Sequence, residues 1–178
     1  MKAGISGKAG SIFTMSEKFC GMAIKLGDDI NTDVIFPGAY MNISDPFEMA
    51  KHALEGISDD FPSRIREGSI VVGGVNFGCG SSREGAVTSL KYAGIKAIIA
   101  KGFSRIYYRN VINQGLLPVE CPEAVDHITD GQEICISLVQ GKVWVGSASY
   151  DFIPPPAFVQ EILKQGGLLN YTKRKIVS

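Results

Sequence analysis

The segment from Val75 to Gly85, VNFGCGSSREG, carries the residues most suited to chemistry in this sequence. Its glycines Gly78 and Gly80 lie between an apolar run and a helical pattern, so the backbone can turn sharply there. Several N–H groups at the start of the following helix then have no partner within that helix. Together with the helix dipole, such donors favour a bound anion. The spacing therefore predicts an anion-binding turn.

Three polar side chains directly follow the second glycine: Ser81, Ser82 and Arg83. A guanidinium can hold a carboxylate through two parallel hydrogen bonds, and the two hydroxyls supply further donors. A serine in this positive environment can also hold developing alkoxide charge and act as a general base. From the residues alone, Ser81 has three alternative roles: a helix cap, part of a passive anion site, or a base. The donor set as a whole suits a small carboxylic acid.

The same turn departs from three common glycine-rich motifs. A P-loop requires a lysine at the position after Gly80, where Ser81 stands. A dinucleotide-binding fingerprint requires its third glycine where Arg83 stands. A nucleophile elbow centred on Ser82 requires its closing glycine where Glu84 stands. None of these three functions is therefore predicted for the turn.

A second polar segment, Gly27 to Ile43, reads GDDINTDVIFPGAYMNI. Its three aspartates, Asp28, Asp29 and Asp33, precede or begin an apolar run. Ordinary turn chemistry accounts for aspartates in such a position. The separation of this segment from the glycine-rich turn along the chain does not say whether the two meet in space.

Strands and helices alternate around these two segments, which predicts an α/β fold. Strands are predicted at residues 23–25, 34–36, 69–75, 97–100 and 116–119, and a β-hairpin at residues 134–138 and 143–145. Helices are predicted at residues 46–55, 83–92, 104–114 and 156–165, the first with Asp45 as its N-cap. We expect a three-layer domain with a mixed sheet and helices on both faces.

The composition fits one folded domain and argues against several kinds of partner. Of the 178 residues, 45% are apolar, which is enough for a core without a disulfide or a metal. Equal numbers of basic and acidic residues, 18 of each, predict no nucleic-acid surface. Residues 1–18 are expected to form a loose leader, with Met15 as an alternative start, and residues 19–178 a single domain. Neither a membrane-spanning stretch nor a secretory signal is recognised, so we expect a cytoplasmic protein.

The four cysteines, Cys20, Cys79, Cys121 and Cys135, show no metal-ligand spacing. They are 59, 42 and 14 residues apart, and only two histidines accompany them. This spacing matches neither a zinc site nor an iron–sulfur site. We therefore expect no metal in this chain and reduced thiols, as in a cytoplasmic protein.

Several motifs in the same order make the sequence resemble the small subunits of 3-isopropylmalate dehydratase and the matching swivelling domain of the aconitase superfamily. The resemblance covers residues 25–176 and rests on GDDINTDVIFPG, DPFEMA, NFGCGSSRE, AKGFSRIYYRN, INQGLLPVE and GGLLNY. It implies the three-layer β/β/α swivelling fold of the aconitase C-terminal domain. It also implies a hydro-lyase of leucine biosynthesis, which moves a hydroxyl between adjacent carbons of a malate-type acid through an unsaturated intermediate.

The resemblance also implies roles for residues of both polar segments. In this family the first serine of GSSR removes a proton from carbon, which implies that Ser81 is the base and that Ser82 and Arg83 bind substrate. The aspartate of TDVI, here Asp33, helps to handle substrate or hydroxyl. The family's [4Fe–4S] cluster, a Lewis acid, lies on a separate large subunit with its own cysteines. This chain would then bind no cofactor itself, would act only with a large subunit in a heterodimer or heterotetramer, and would not use Cys79 as a cluster ligand.

Substrate choice in this family depends on a short loop, which here is formed by Tyr40, Met41, Asn42 and Ile43. Homoaconitase-like relatives have an arginine where Asn42 stands, and a buried carboxylate without that partner would be costly. We therefore expect 2- and 3-isopropylmalate as substrates, with Met41 and Ile43 lining an apolar pocket for the alkyl group. The alternatives are a homoaconitase, dimethylmalate or methylmalate dehydratase, and a non-catalytic carboxylate-binding module. Gly85 is one departure, since many relatives have histidine or another larger residue there.

Overall fold

A mixed sheet of seven strands forms the centre of the computed structural model, which describes residues 18–177. The strands are β1 (Phe19–Lys25), β2 (Ile70–Gly73), β3 (Ala97–Ala100), β4 (Leu117–Glu120), β5 (Glu133–Ser137), β6 (Lys142–Val145) and β7 (Ala148–Asp151). Their order is β4-β3-β2-β1-β5-β6-β7, parallel from β4 to β1 and antiparallel from β1 to β7. Strand β1 therefore joins a parallel half-sheet to an antiparallel one.

Helices cover both faces of this sheet. They are α1 (Thr32–Ile35), α2 (Pro46–Ala50), α3 (Gly85–Tyr92), α4 (Arg105–Asn113), α5 (Pro122–His127), α6 (Ala157–Lys164) and α7 (Leu168–Val177). Two 3₁₀ helices cover Gly38–Tyr40 and Phe61–Arg64. Over residues 18–177, no helix has the length and apolar character needed to cross a membrane. The expected leader at residues 1–18 lies, except for Lys18, outside the described residues, and so does Met15.

Alternate residues of the parallel strands face two separate apolar cores. Ile70 and Val72 of β2 belong to the first core, which also contains Ile162 of α6. Val71 belongs to the second core, together with Leu90 of α3. All residues of β2 and β3 are buried, as is usual for parallel strands with helices on both faces. The predicted three-layer arrangement, a mixed sheet with helices on both faces, is confirmed.

The strand predicted at residues 34–36 is wrong, because this segment forms helix α1. Its N-cap is Asn31, whose side chain accepts a hydrogen bond from the Val34 amide at 2.9 Å. Asp33 adds an acidic residue to the first turn, where the helix dipole favours it. The capping asparagine was the sequence signal for a helix here, but the apolar run that follows it resembles a strand.

Other local predictions are confirmed with small shifts at their ends, except that the helix predicted at residues 46–55 ends at Ala50 and continues as turns. The Asp45 side chain caps α2 by accepting hydrogen bonds from the amides of Phe47 and Glu48. The predicted hairpin is present as β5 and β6. Strand β1 extends to Phe19 because its first half pairs with β5. Strand β7 and helices α5 and α7 had no prediction.

Two cysteines are joined in a disulfide, so the expectation of reduced thiols is wrong for Cys20 and Cys135. These residues are partners in the antiparallel register of β1 and β5, and their Cα atoms are 4.0 Å apart. Strand pairing over a sequence separation of 115 residues creates this proximity, and the spacing of cysteines along the chain does not reveal it. Cys79 and Cys121 remain free.

Candidate active site

The two polar segments, which are about 50 residues apart in sequence, meet at the carboxyl ends of β1 and β2. The Gly78 amide donates to the Ile30 carbonyl at 2.7 Å, and the Thr32 amide donates to the Cys79 carbonyl at 2.9 Å. Asn31 and Cys79 also form an isolated parallel bridge. Because adjacent parallel strands end at the same edge of a sheet, the loops after them form one surface.

Asp28 and Asp29 help to hold these loops together. Asp28 Oδ1 accepts a hydrogen bond from the Val75 amide at 2.9 Å, and Asp29 Oδ1 accepts one from Asn76 Nδ2 at 2.8 Å. Asp29 and Asn76 both adopt positive φ, at 51° and 56°. Ordinary turn chemistry therefore accounts for these two aspartates.

The glycines of the turn are required by its close contacts. Gly78 has a φ of 77°, and a Cβ at this position would overlap the ring of Tyr107. Gly80 has a φ of 95°, and a Cβ there would lie 3.3 Å from Thr32 Oγ1. Glycine adopts this backbone conformation without the steric cost of a side chain. The sharp turn predicted from the two glycines is confirmed.

Asp33 and Arg83 form an ion pair across the two segments. The Arg83 side chain is 23% exposed and that of Asp33 is 60% exposed, so the guanidinium is the more enclosed partner. Arg83 Nη1 donates to Asp33 Oδ1. The pair places a fixed positive group beside a solvent-accessible carboxylate.

Ser81 lies beside Thr32, the residue before Asp33. The two hydroxyl oxygens are 3.4 Å apart, and Thr32 is fully buried while Ser81 is exposed. Sequence analysis did not select Thr32, which lies in a polar turn before the predicted strand, where a threonine is ordinary. Thr32 becomes a candidate site residue only because the glycine-rich turn brings Ser81 next to it.

Ser81 does not cap the following helix, so that alternative from the residues alone is wrong. Helix α3 begins at Gly85, and Glu84 occupies the N-cap position without a side-chain capping bond. Glu84 instead accepts a hydrogen bond from Gln114. Ser81 and Ser82 precede this helix in an exposed bend. The predicted helix start at Arg83 was two residues early.

The loop from Tyr40 to Ile43 begins next to the ion pair. A Cβ on Gly38 would lie 3.4 Å from Asp33 Oδ1 and 3.5 Å from Arg83 Nη1. Met41 and Asn42 are exposed, Met41 by 59%, whereas Ile43 packs against the second core. Of the two residues expected to line an apolar pocket, Met41 is therefore exposed and Ile43 is partly buried.

Tyr40 is held by two residues that sequence analysis did not select. Its hydroxyl donates to Glu55, its ring stacks on His52 at a centroid distance of 3.6 Å, and His52 Nδ1 donates to the second Glu55 oxygen. Burial alone would raise the pKa of Glu55, but the bonds from Tyr40 and His52 outweigh it and hold that pKa below its ordinary value. The hydrogen bond to Glu55, helped by burial, raises the pKa of the Tyr40 hydroxyl.

One group of three possible metal ligands occurs among residues 18–177: Cys20, Glu133 and Cys135. The two thiols of this group are consumed by the disulfide. Cys79 lies at the site, where its thiol donates to the Asp29 carbonyl at 3.6 Å. A cubane cluster needs several thiolates together, so these residues do not fit one.

Comparisons with known proteins identify relatives of this chain. The Aconitase C-terminal domain family matches residues 59–124. The methanogen homoaconitase small subunit of Methanocaldococcus jannaschii is 46% identical over 157 residues, which cover 87% of this chain and 91% of that protein. The 3-isopropylmalate dehydratase small subunit of Caldicellulosiruptor saccharolyticus is 48% identical over 160 residues, which cover 89% and 92%.

A crystal structure of a 3-isopropylmalate dehydratase from Methanocaldococcus jannaschii superimposes with a TM-score of 0.86 at 44% identity, covering 90% of this chain and 96% of that one. The fold and the serine–arginine turn thus define a swivelling domain of the aconitase type. Within that class, the chain belongs to the family of 3-isopropylmalate dehydratase small subunits and their homoaconitase relatives.

Proposed function

We propose that this chain is the small subunit of a hydro-lyase that interconverts 2-isopropylmalate and 3-isopropylmalate by dehydration and rehydration, as in leucine biosynthesis. The observation that carries the proposal is the convergence of Ser81, Thr32, Asp33 and Arg83 at one edge of the sheet. Relatives at 44–48% identity that are named 3-isopropylmalate dehydratase small subunits support it.

Arg83 and Ser82 bind the substrate in this proposal. The guanidinium is half-enclosed and already oriented by Asp33, so its outer N–H groups can hold a substrate carboxylate through parallel hydrogen bonds. The Ser82 hydroxyl is exposed beside it and can donate a further bond. Binding at this point places the substrate carbons over the turn that carries Ser81.

Ser81 is the proposed base. As the alkoxide, its oxygen takes a proton from one carbon of the substrate and becomes a neutral hydroxyl. The electrons of the broken C–H bond form the double bond of the unsaturated acid, and the substrate hydroxyl leaves the adjacent carbon as hydroxide with the C–O bonding pair. Addition of water in the opposite sense gives the isomer. The buried Thr32 hydroxyl, 3.4 Å away, can donate to the Ser81 alkoxide before the proton transfer, and the Arg83 charge stabilises the same anion. Asp33 is placed to handle the hydroxyl or the substrate on the solvent side.

A large subunit would complete the site. The family's [4Fe–4S] cluster, held by that subunit, supplies Lewis-acid activation of the leaving hydroxyl. The small-subunit names of the relatives support such a partner, and we propose a cytoplasmic heterodimer or heterotetramer with this chain as the cluster-free half. The exposed edge formed by Ser81, Ser82 and Asp33 is the face that would meet it.

The recognition loop (Tyr40 to Ile43) supports isopropylmalate over homoaconitate. Relatives with either substrate name have similar overall identity, 46% and 48%, so overall similarity does not choose between them. Asn42 is exposed in this loop and carries no positive charge to neutralise an additional carboxylate. Met41 and Ile43 supply apolar surface for an alkyl group.

The test is anaerobic co-expression with the candidate large subunit, cluster reconstitution, and an ultraviolet assay for the unsaturated acid. We expect turnover on isopropylmalate and little on homocitrate, citramalate or dimethylmalate.

Ser81→Ala should abolish turnover while sparing assembly and substrate binding, because Arg83 remains. Ser149→Ala, on the exposed strand β7, is the matched control. Activity of Ser81→Ala within a fewfold of wild type would exclude Ser81 as the base, and absence of both association and turnover would favour a binding module.

A further inference from the structure

A turn at residues 52–56 contacts both the recognition loop and the backbone that carries Asp33. We propose that this turn, through Glu55, positions the recognition loop relative to the Asp33–Arg83 pair and so contributes to substrate selectivity. This inference rests on the proposed function, since it assigns a further positioning residue to the same site.

Glu55 uses both of its carboxylate oxygens to hold aromatic groups. Oε1 accepts the Tyr40 hydroxyl and Oε2 accepts His52 Nδ1. The Tyr40 and His52 rings are stacked, with an interplanar angle of 17°. The Glu55 side chain is only 16% exposed, so water competes weakly for these bonds. Tyr40 cannot swing outward without losing both the stacking contact and a charge-assisted hydrogen bond.

The same turn is fixed to the segment that carries Asp33. The Leu54 amide donates to the Ile35 carbonyl at 2.7 Å, and the Leu54 side chain is fully buried. Leu54 has a φ of 63°, which is costly for a leucine and persists only where the surroundings enforce it. A Cβ on Gly56 would lie 2.6 Å from the Asp33 carbonyl oxygen, so this backbone packs directly against α1. Glu55 therefore projects from a turn that cannot shift independently of Asp33.

The inward position of Tyr40 decides what the rest of the loop presents. Met41 and Asn42, the next two residues, are exposed, and the Met41 amide donates at 3.2 Å to the carbonyl of Gly38, the glycine that adjoins the ion pair. The Ile43 amide closes the loop by donating to the Tyr40 carbonyl at 3.0 Å. With Tyr40 released, Met41 and Asn42 would lose their defined position relative to Arg83. Selectivity for the alkyl group would then fall, while the proton-transfer residues on the other segment would be unaffected.

The kinetic test compares Glu55→Ala with Glu48→Ala in the reconstituted complex. Glu48 is a matched control because it also pairs with a basic side chain, Lys51, on the exposed side of the same region. We expect Glu55→Ala to raise KM for isopropylmalate about tenfold with kcat within about threefold, the usual effect of losing a hydrogen bond to a charged group. The Glu55→Ala enzyme should also prefer isopropylmalate over methylmalate less strongly than wild type does. Glu55→Gln can still accept a hydrogen bond from the Tyr40 hydroxyl, so it should retain most of the wild-type preference.

A second measurement needs no turnover. Amide hydrogen exchange in the isolated full chain should accelerate at residues 40–43 in Glu55→Ala, and should remain as in wild type in Glu48→Ala and Ser81→Ala.

If Glu55→Ala fails to fold, His52→Phe can replace it, because this variant keeps the ring stack but removes one Glu55 bond. A smaller increase in the exchange rate at residues 40–43 is then expected. Unchanged exchange in a folded variant, or an equal loss of kcat for every acid with selectivity preserved, would overturn the inference. Absence of turnover in the wild-type complex would instead overturn the proposed function, and this inference with it.

Discussion

Arg83 is held in place before any substrate arrives. Its partner Asp33 is 60% exposed, and an ion pair so accessible to water adds little to the free energy of unfolding. The useful effect of the pair is orientation, because a guanidinium fixed on one side has its remaining N–H groups directed outward. Asp33 therefore has two roles in the proposal, as the partner of Arg83 and as a group accessible to substrate.

Arg83→Lys tests that role directly. A lysine keeps the charge but has no planar fork, so it cannot hold Asp33 and a carboxylate in the same geometry. We expect KM for isopropylmalate to rise roughly tenfold to a hundredfold, with a smaller fall in kcat. Steady-state kinetics of the complex measure this. Arg64→Lys, which changes a guanidinium paired with Asp130 outside the two polar segments, should leave KM unchanged. An unchanged KM in Arg83→Lys would remove Arg83 from the binding site.

At the scale of elements, the site depends on how two loops pack at the end of a parallel strand pair. The glycine-rich turn lies against Tyr107 of α4 on one side and against α1 on the other. Its backbone fits this narrow space only where a side chain is missing. A position can require glycine because its φ is positive or because there is no space for a side chain. These two reasons can be tested separately, because the chain has one glycine with both constraints and another with a positive φ alone.

Gly78→Ala and Gly131→Ala make that comparison. Their φ values are nearly equal, 77° and 75°. A Cβ at Gly78 would overlap the Tyr107 ring, whereas a Cβ at Gly131 would have no other atom within 4 Å. We expect Gly131→Ala to cost about 1 kcal/mol of unfolding free energy from backbone strain alone. Gly78→Ala should cost about 3 kcal/mol or more, since Tyr107 must also move. Urea unfolding measures both, and similar losses would show that φ is the dominant constraint.

Asp130 connects two elements, and its ionisation makes the stability of the fold depend on pH. It accepts the Lys25 amide at the end of β1 and pairs with Arg64 of the second 3₁₀ helix. Burial would raise the pKa of Asp130, but the bonds from Lys25 and Arg64 dominate and hold that pKa below its ordinary value. A carboxyl whose pKa is lower in the folded state stabilises the fold above its unfolded pKa, and this stabilisation is lost as the pH falls through the folded value.

Asp130→Asn should therefore lower the unfolding free energy at neutral pH by about 1 kcal/mol, allowing for solvent screening of this half-exposed group. Below about pH 4 the difference from wild type should narrow, because the wild-type carboxyl then becomes protonated. Denaturant unfolding between pH 3 and 7 measures it, with the exposed Asp59→Asn as control. If the difference in unfolding free energy between wild type and Asp130→Asn stayed constant from pH 3 to 7, ionisation of Asp130 would not contribute to the pH dependence of stability.

At the scale of the whole molecule, β1 joins two half-sheets with different tasks. Its second half pairs in parallel with β2 and carries the chain directly into the site. Its first half pairs antiparallel with β5, and the Cys20–Cys135 disulfide links that pair. The antiparallel half thus supports the strand from which the first polar segment emerges, without contributing a residue to the proposed site.

Removal of the disulfide should destabilise the domain without changing the site. The bond joins residues 115 apart in sequence, and a disulfide typically contributes roughly 2–4 kcal/mol to the free energy of unfolding. For a domain of this length we expect the melting temperature to fall by roughly 5–15 °C in Cys20→Ser/Cys135→Ser. Dithiothreitol should have the same effect on wild type and none on the double variant. Identical melting with and without reductant would show that the bond adds no stability in solution.

Much of the fold could be predicted from local patterns. The apolar runs of β2 and β3, the Asp45 cap of α2 and the hairpin of β5 and β6 each depend on a few neighbouring residues, so they are readable in the sequence. Helix α1 was missed because an asparagine cap and an apolar run gave opposite indications over four residues. Strand β7 was missed because three of its four residues are exposed and it lacks an apolar face.

For the candidate site, the sequence by itself determined the chemistry of the turn: glycines for a sharp bend, then two hydroxyls and a guanidinium. The tertiary structure decided which residues join them. Thr32 and Asp33 reach Ser81 and Arg83 only because β1 and β2 pair in parallel, and Glu55 reaches Tyr40 only because its turn packs on α1. Cys20 and Cys135 likewise meet through strand register. Side-chain type and local spacing are properties of the chain, whereas contacts between distant segments depend on how the strands pair and how the cores pack.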